Sequence, residues 1–306
     1  MAKATITTMA TIDQPAIEQL PIIVPPLDMQ FELVNELETS RATRQAKLIR
    51  ARELLKDLDA FVLKQLKIEL PYEDKRAVYA ITQAKIKQGR LDALYYAPYF
   101  NNLAKALIDC AFPKIPLGEI SPKIVGGATP TKGDAELYAE DGIKFLRILN
   151  IAANEIVLEN VKYIKDTVHD GELNRSQLSV NDVLMTITGR VGTAAVVTED
   201  ILPANINQHI VRMRVQRKDC LPEYLAVYLN TSIGTLLSNR GVTGGTRIAL
   251  DYEVIRKILI PLPPLPIQQT IIAELSRRRS EARRLRDEAN QEWTAAKEHF
   301  EDSLLG

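Results

Sequence analysis

The sequence predicts a mixed α+β (α/β) domain held between two long α-helices, and three observations predict it. A Pro-Pro-Leu signature occurs twice, at Pro25-Pro26-Leu27 and Pro263-Pro264-Leu265. After each copy, apolar and small residues recur in alternating steps of three and four. Between the copies, over residues 89–262, the pattern changes to short β-rich runs separated by glycine-bearing turns.

The two signatures belong to a longer repeat. A constant offset of 238 residues pairs Asp13 with Asp251, Ile17 with Ile255, Ile22 with Ile260, Gln30 with Gln268, Glu36 with Glu274, Leu37 with Leu275, Arg41 with Arg279 and Ala51 with Ala289. From Asp13 to Arg52 there are 11 identities in 40 ungapped positions. Unrelated helices share scattered Leu and Glu but rarely a diproline boundary as well, so this is an internal duplication. Proline is tolerated at a first helical position and disfavours helix before it, so each diproline marks a helix start. Asp28 and Glu32 place acid near the positive end of the first helix.

Both copies continue as heptad helices. The first seam runs Val34, Leu37, Arg41, Arg44, Leu48, Ala51, Leu55, Leu58, Val62; the second runs Ile272, Leu275, Arg279, Ala282, Arg286, Ala289, Trp293, Ala296, Phe300. A helix of about 40 residues is a rod of roughly 60 Å. Such a rod cannot bury its own stripe; the partner is the other copy, within the chain or in a second chain. Basic runs such as RRRSEARRLR (277–286) read as solvated faces.

The intervening strands are read in KFLRILNI, EIVLENVKYI, DVLMTITG, TAAVVT and HIVRMRV, and one helix is read from Pro222 to Asn239. With 46% hydrophobic residues the 306-residue chain can bury a sizeable core. Its 39 basic and 39 acidic residues exclude a uniformly basic nucleic-acid binder, though not a basic face. Cys110 and Cys220 have no metal-ligand spacing and suggest a reducing compartment. The sequence shows no signal-peptide core and no membrane-length apolar run, so a cytoplasmic location is expected.

Catalytic signatures are missing. The chain has no GxxxxGK[ST] phosphate loop, no HExxH or CxxC metal pattern and no glycine-rich cofactor fingerprint. Glu73-Asp74-Lys75 reads as a solvated turn, and His209 is a lone histidine with no recognisable nucleophile or carboxylate partner. The expectation is a non-catalytic chain without metal or cofactor.

Four loops do carry side chains suited to phosphates and base edges. GGATPTKGD offers Thr129, Thr131 and Lys132; TGRVG offers Thr188 and Arg190; ANINQH offers Asn205, Asn207, Gln208 and His209; SNRGVTGGTR offers Asn239, Arg240, Thr243, Thr246 and Arg247. Each loop alone reads as polar surface in water. Four in one domain, flanked by a spacer, point to double-stranded DNA.

The ordered set GRLDALYYAPYF, LGEI, GGATPTKG, GIKFLRILNI, NDVLMTITGRVG, NINQHIVRMRV and PEYLAVYLNTSIG, with the exit IPLPPLPIQQTIIAEL, resembles a target recognition domain. It is similar to that of the DNA-specificity subunit of type I restriction-modification systems. The resemblance implies an antiparallel coiled-coil spacer, with Leu37, Leu48, Leu55, Leu58, Leu275, Ala282, Ala289 and Trp293 on its seam. It also implies modification (methyltransferase) subunits docked on the helices, S-adenosylmethionine bound by those subunits, and restriction subunits as further partners.

On that plan residues 1–27 are a leader resembling the closing strand of a first recognition domain, 28–70 a spacer helix, 71–262 the recognition domain with its connector, and 263–306 the second spacer helix. A full specificity subunit has two recognition domains, and only one is read here. Three arrangements stay open: both helices folded together in one chain, a homodimer around a two-fold axis, or pairing with a second truncated specificity chain. The homodimer is slightly preferred, although its four rods exceed what one spacer needs.

Overall fold

The computed structural model describes residues 5–6, 10–11, 14–20, 22–71, 78–86, 93–130, 137–240 and 249–305. These fall into two compact units, Met1–Lys56 with Arg278–Gly306, and Asp57–Arg277. In chain order the helices are α1 (Gln14–Glu18), α2 (Leu27–Lys56), α3 (Leu58–Gln65), α4 (Pro98–Asp109), α5 (Leu117–Ile120), α6 (Asp166–Asp170), α7 (Pro222–Leu229), α8 (Ser232–Arg240), α9 (Tyr252–Lys257) and α10 (Leu265–Leu305). The strands are β1 (Thr5–Ile6), β2 (Ala10–Thr11), β3 (Lys114–Pro116), β4 (Ile124–Gly126), β5 (Tyr138–Ala139), β6 (Ile143–Leu146), β7 (Ile151–Ala152), β8 (Glu155–Ile156), β9 (Lys162–Ile164), β10 (Asp182–Thr186), β11 (Ala194–Val196), β12 (Ala204–Ile206), β13 (Ile210–Arg214) and β14 (Leu259–Pro261).

In the first unit, α2 starts directly after the first diproline, as its sequence requires. Its cross-helix partners lie on the outer part of α10. Lys47 Nζ meets Glu288 at 3.1 Å and Glu292 at 2.6 Å, Arg44 donates to Asn290 Oδ1 at 3.4 Å, and His299 Nδ1 lies 3.4 Å from Glu36. Partner numbers rise on α10 as they fall on α2, so the two helices run in opposite directions within one chain. The ion pairs are solvated and add little individually. The buried Ala51, Ala282 and Ala289 remove side-chain bulk from the seam.

The seam itself departs from the sequence reading by one residue at alternate positions. On α2 the covered positions are Leu33, Leu37, Ser40, Arg44, Lys47, Ala51 and Leu54, whereas Val34 and Arg41 are exposed. Leu48 and Leu55 stay half-buried at its margin, as does Trp293 on α10; there Leu285 takes the place expected for Arg286, which is exposed. The rod is also shorter than expected: α2 stops at Lys56, Asp57 leaves helical geometry, and α3 begins anew at Leu58. Leu58 and Leu275 consequently belong to the second unit, where Leu275 packs against the main core.

The second unit is built on two four-stranded sheets, ordered β11-β10-β13-β4 and β12-β6-β9-β5. The first is antiparallel throughout; in the second, β12 runs parallel to β6. Alternate residues of a strand point to opposite faces. On β10, Val183 and Met185 enter the core formed with α7, while Leu184 enters a second core with Ala195, Val197, Ile206 and Ile210. This strand is a shared wall, which explains why it reads as an unbroken buried run.

The helix expected from Pro222 to Asn239 is two helices. The Thr231 hydroxyl accepts from Gly234 N at 3.1 Å and starts α8 afresh. A Cβ on Gly234 would lie 2.3 Å from the Tyr228 carbonyl oxygen, so only glycine admits this close turn.

Candidate nucleic-acid interface

The antiparallel register gathers the predicted loops. Thr186 at the end of β10 faces Ile210 at the start of β13, and Val211 faces Gly126 at the end of β4. Residues 127–130, 187–193 and 207–209 therefore leave the same end of one sheet. The segment after α8 returns there too: Thr188 bridges Ala249, and Leu250 N donates to Ile187 O at 2.9 Å. Segments as far apart in sequence as residues 127–130 and 249–250 thus meet because strand pairing requires it.

Each loop is fixed locally. The Thr186 hydroxyl, unremarked in the sequence, donates to Arg190 O and accepts from Thr193 N at 3.2 Å. Gly192 N donates back to Thr186 O at 2.9 Å. Gly189 (φ +67°) and Gly192 (φ +89°) supply the left-handed residues of this tight turn. The result is an exposed Arg190 on a short stiff loop, its Nη2 3.4 Å from Ile151 O. In the neighbouring loop the exposed Thr129 donates its hydroxyl to Gln208 Oε1, joining residues 127–130 to 207–209. Asn207 accepts from His209 N at 3.1 Å, and His209 O accepts from Ile187 N at 3.0 Å. Thr188 and His209 are half-buried beside them.

The structure removes two sequence candidates from this surface and restricts a third. Asn205 lies on β12, not in a loop, and is fully buried. Its amide nitrogen donates to Leu173 O at 2.8 Å and Ser176 Oγ at 3.0 Å, and its oxygen accepts from His169 Nδ1 at 2.5 Å. Asn205→Ala is expected to cost about 1–2 kcal/mol of stability, the penalty for orphaning buried partners. Chemical denaturation would check this; undiminished stability with altered ligand preference would return Asn205 to the surface. Arg240 is likewise committed within the protein. Its guanidinium stacks 4.8 Å from the Tyr95 ring and 5.5 Å from Phe100, and donates to Tyr95 O, Phe100 O and Asn101 Oδ1. Asn207 is buried and shapes its turn. Thr131, Lys132, Thr243, Thr246 and Arg247 lie outside the described residues, while Asn239 is exposed on α8.

Among the described residues no cluster of His, Cys, Asp or Glu could hold a metal ion, and no helix is long and apolar enough to cross a membrane. Both cysteines are buried, and burial pushes the Cys220 thiol up to about 12, away from reactive thiolate. Burial raises the Tyr224 and Tyr228 phenols too; they donate to Pro261 O at 2.5 Å and Leu259 O at 3.1 Å.

Comparison with known proteins matches the family model of the type I restriction modification DNA specificity domain to residues 112–286. The chain is 27% identical over 133 residues to the specificity subunit of the Escherichia coli type I restriction enzyme EcoBI. That match covers 44% of this chain and 28% of the relative, well under two thirds of its length. The fold is similar to a chain from a structural study of type I R-M assembly, with TM-score 0.52, 17% identity, and coverage of 92% and 59%. It is also similar to the S subunit of a type I restriction-modification system from M. genitalium, with TM-score 0.50, 11% identity, and coverage of 98% and 66%.

Proposed function

Because this chain belongs to the type I restriction modification DNA specificity domain family, we propose that its recognition domain reads one half-site of a split DNA sequence without performing chemistry itself. Adenine methyltransferase subunits dock on α2 and α10, which act as an antiparallel coiled-coil spacer. They bring their own S-adenosylmethionine, and restriction subunits join the same assembly. DNA and these subunits share one compartment, the cytoplasm.

The observation that carries the reading is the gathering of Thr129, Thr188, Arg190, Gln208 and His209 at one sheet end. Arginine pairs with guanine edges and phosphates, glutamine with adenine, and threonine with either. Of the arrangements open from sequence, pairing of both helices in one chain has the support of the Lys47, Arg44 and Glu36 contacts.

The reading is tested by mapping N6-methyladenine genome-wide in cells expressing this chain with its neighbouring modification subunit. A new discontinuous motif is expected; a stable complex that methylates nothing new would sink it. At finer grain, Arg190→Ala is expected to weaken specific DNA binding by about 1–3 kcal/mol if it meets a base edge. Fluorescence anisotropy at fixed salt checks this, and unchanged affinity and preference would take Arg190 out of the site.

A further inference from the structure

A further segment reaches the sheet end where the loops of the candidate interface meet. The run KFLRILNI reads as one strand from sequence, but β6 stops at Leu146 and the chain makes a single 3₁₀ turn over Ile148–Asn150 before β7. β6 runs parallel to β12 with Leu146 opposite Ile206, so residues 147–150 leave the sheet beside residues 207–209. Asn207 N donates to Leu146 O at 3.1 Å and ties the two exits together. The Arg190 loop closes on the same turn from the other side. A Cβ on Gly189 would lie 3.6 Å from Ile148 Cδ1, and Arg190 Nη2 lies 3.4 Å from Ile151 O.

The turn is locked by its flanks. Asn150 is fully buried; its side-chain oxygen accepts from Arg147 N at 3.0 Å, and its amide donates to Val157 O at 2.8 Å and Glu159 O at 3.3 Å. Asn150 N donates to Arg147 O at 2.8 Å, Val157 N donates to Asn150 O at 2.8 Å, and Arg147 Nη2 donates to Asn160 O at 2.5 Å. Ile151, next in the chain, is fully buried, and Ile148 is half-buried against the Gly189 turn. Between them Leu149 is 48% exposed. A lone surface leucine needs no explanation. A leucine presented on a fixed turn beside Arg190, among side chains suited to DNA, does.

We propose that Leu149 is a specificity-determining residue that reads a thymine by packing on its C5 methyl group in the major groove. That methyl is the apolar group the base pairs present there, whereas guanine and adenine offer hydrogen-bonding atoms to groups such as Arg190 and Gln208. Leu149 and Arg190 stand on abutting turns, so their contacts fall in the same stretch of groove. A methyl contact is small, and the stiffness of its support decides what it is worth. On a loose loop the ordering of the leucine would cancel the gain; on this turn the ordering is already done by Asn150 and Arg147. This role rests on the half-site reading above and adds to it one residue and one base.

The test uses the full-length chain assembled with its modification subunits, and duplexes carrying the motif found by N6-methyladenine mapping. Each thymine of the motif is replaced singly by deoxyuridine, which removes the C5 methyl and keeps every hydrogen-bonding atom. Fluorescence anisotropy at fixed salt is expected to show one such replacement weakening wild-type binding about fourfold, the worth of burying one methyl group. The Leu149→Ala assembly is expected to bind the thymine duplex about as weakly as wild type binds that uracil duplex, and to lose nothing further on the replacement. The wild-type loss needs no variant and so does not depend on how Leu149→Ala folds. A motif without thymine, no sensitive thymine, or an equal loss in the Leu149→Ala assembly would overturn the role of Leu149 and leave the half-site reading in place. Equal wild-type affinity for the motif and a scrambled duplex would overturn both.

Discussion

Asp182→Ala is expected to lower folding stability by about 3–5 kcal/mol, the cost of breaking a buried ion pair from one side. Asp182 opens β10 and is fully buried. Its oxygens accept from Arg214 Nε at 2.8 Å, Arg214 Nη2 at 3.1 Å and Ser179 N at 2.9 Å, and lie 3.6 Å from Arg212 Nη1. The arginines share this partner unequally. Arg214 is half exposed, and its hydrogen bond to Asp182 holds its pKa above the ordinary value; water replaces much of what it loses. Arg212 is largely covered, burial already lowers its pKa, and its Nε has no hydrogen-bond partner. Removing the carboxylate leaves that charge uncompensated against the sheet. Asp182→Asn keeps an acceptor for Ser179 N while losing the charge, so it should fall between wild type and alanine. Urea unfolding measures all three; a loss below about 1 kcal/mol for alanine would mean the triad is a solvated surface pair.

The second large effect is at Gly127, where β4 hands over to the Thr129 loop. A Cβ there would sit 2.1 Å from Ile206 O and 2.3 Å from Asn207 O, two backbone atoms that cannot rotate away. Gly127→Ala is expected to cost about 3 kcal/mol, at the upper end for overpacking, because the strand or the crossing loop must shift. The shift falls on the segment that holds Gln208 against Thr129, so reading of DNA should suffer with stability. Thermal unfolding and DNA titration at low temperature check the two together. A variant as stable as wild type with normal binding would show that the loops do not depend on this crossing.

How much of this was legible in the sequence depends on the range of the interaction. The helix starts were, because proline acts on its own neighbours. The seam was legible only to within one residue: Val34 and Arg41 satisfy heptad spacing as well as Leu33 and Ser40, and only the partner helix decides between them. Asn205 was misplaced because a three-residue strand with asparagine at its centre looks like a polar loop; its hydrogen-bond partners lie about 30 residues earlier. Arg240 sits beside a loop in sequence, yet its aromatic partners Tyr95 and Phe100 come from the far end of the domain. By contrast TGRVG was readable, since its glycines and the arginine between them determine a turn locally.

That local closure has a consequence for engineering. The loop from Thr186 to Thr193 is tied at both ends by its own atoms, through the Thr186 hydroxyl and the Gly192 amide. Its shape travels with its sequence. Transplanted whole between sheets of this build it should arrive folded, whereas a residue-by-residue exchange would pass through variants with the knot undone.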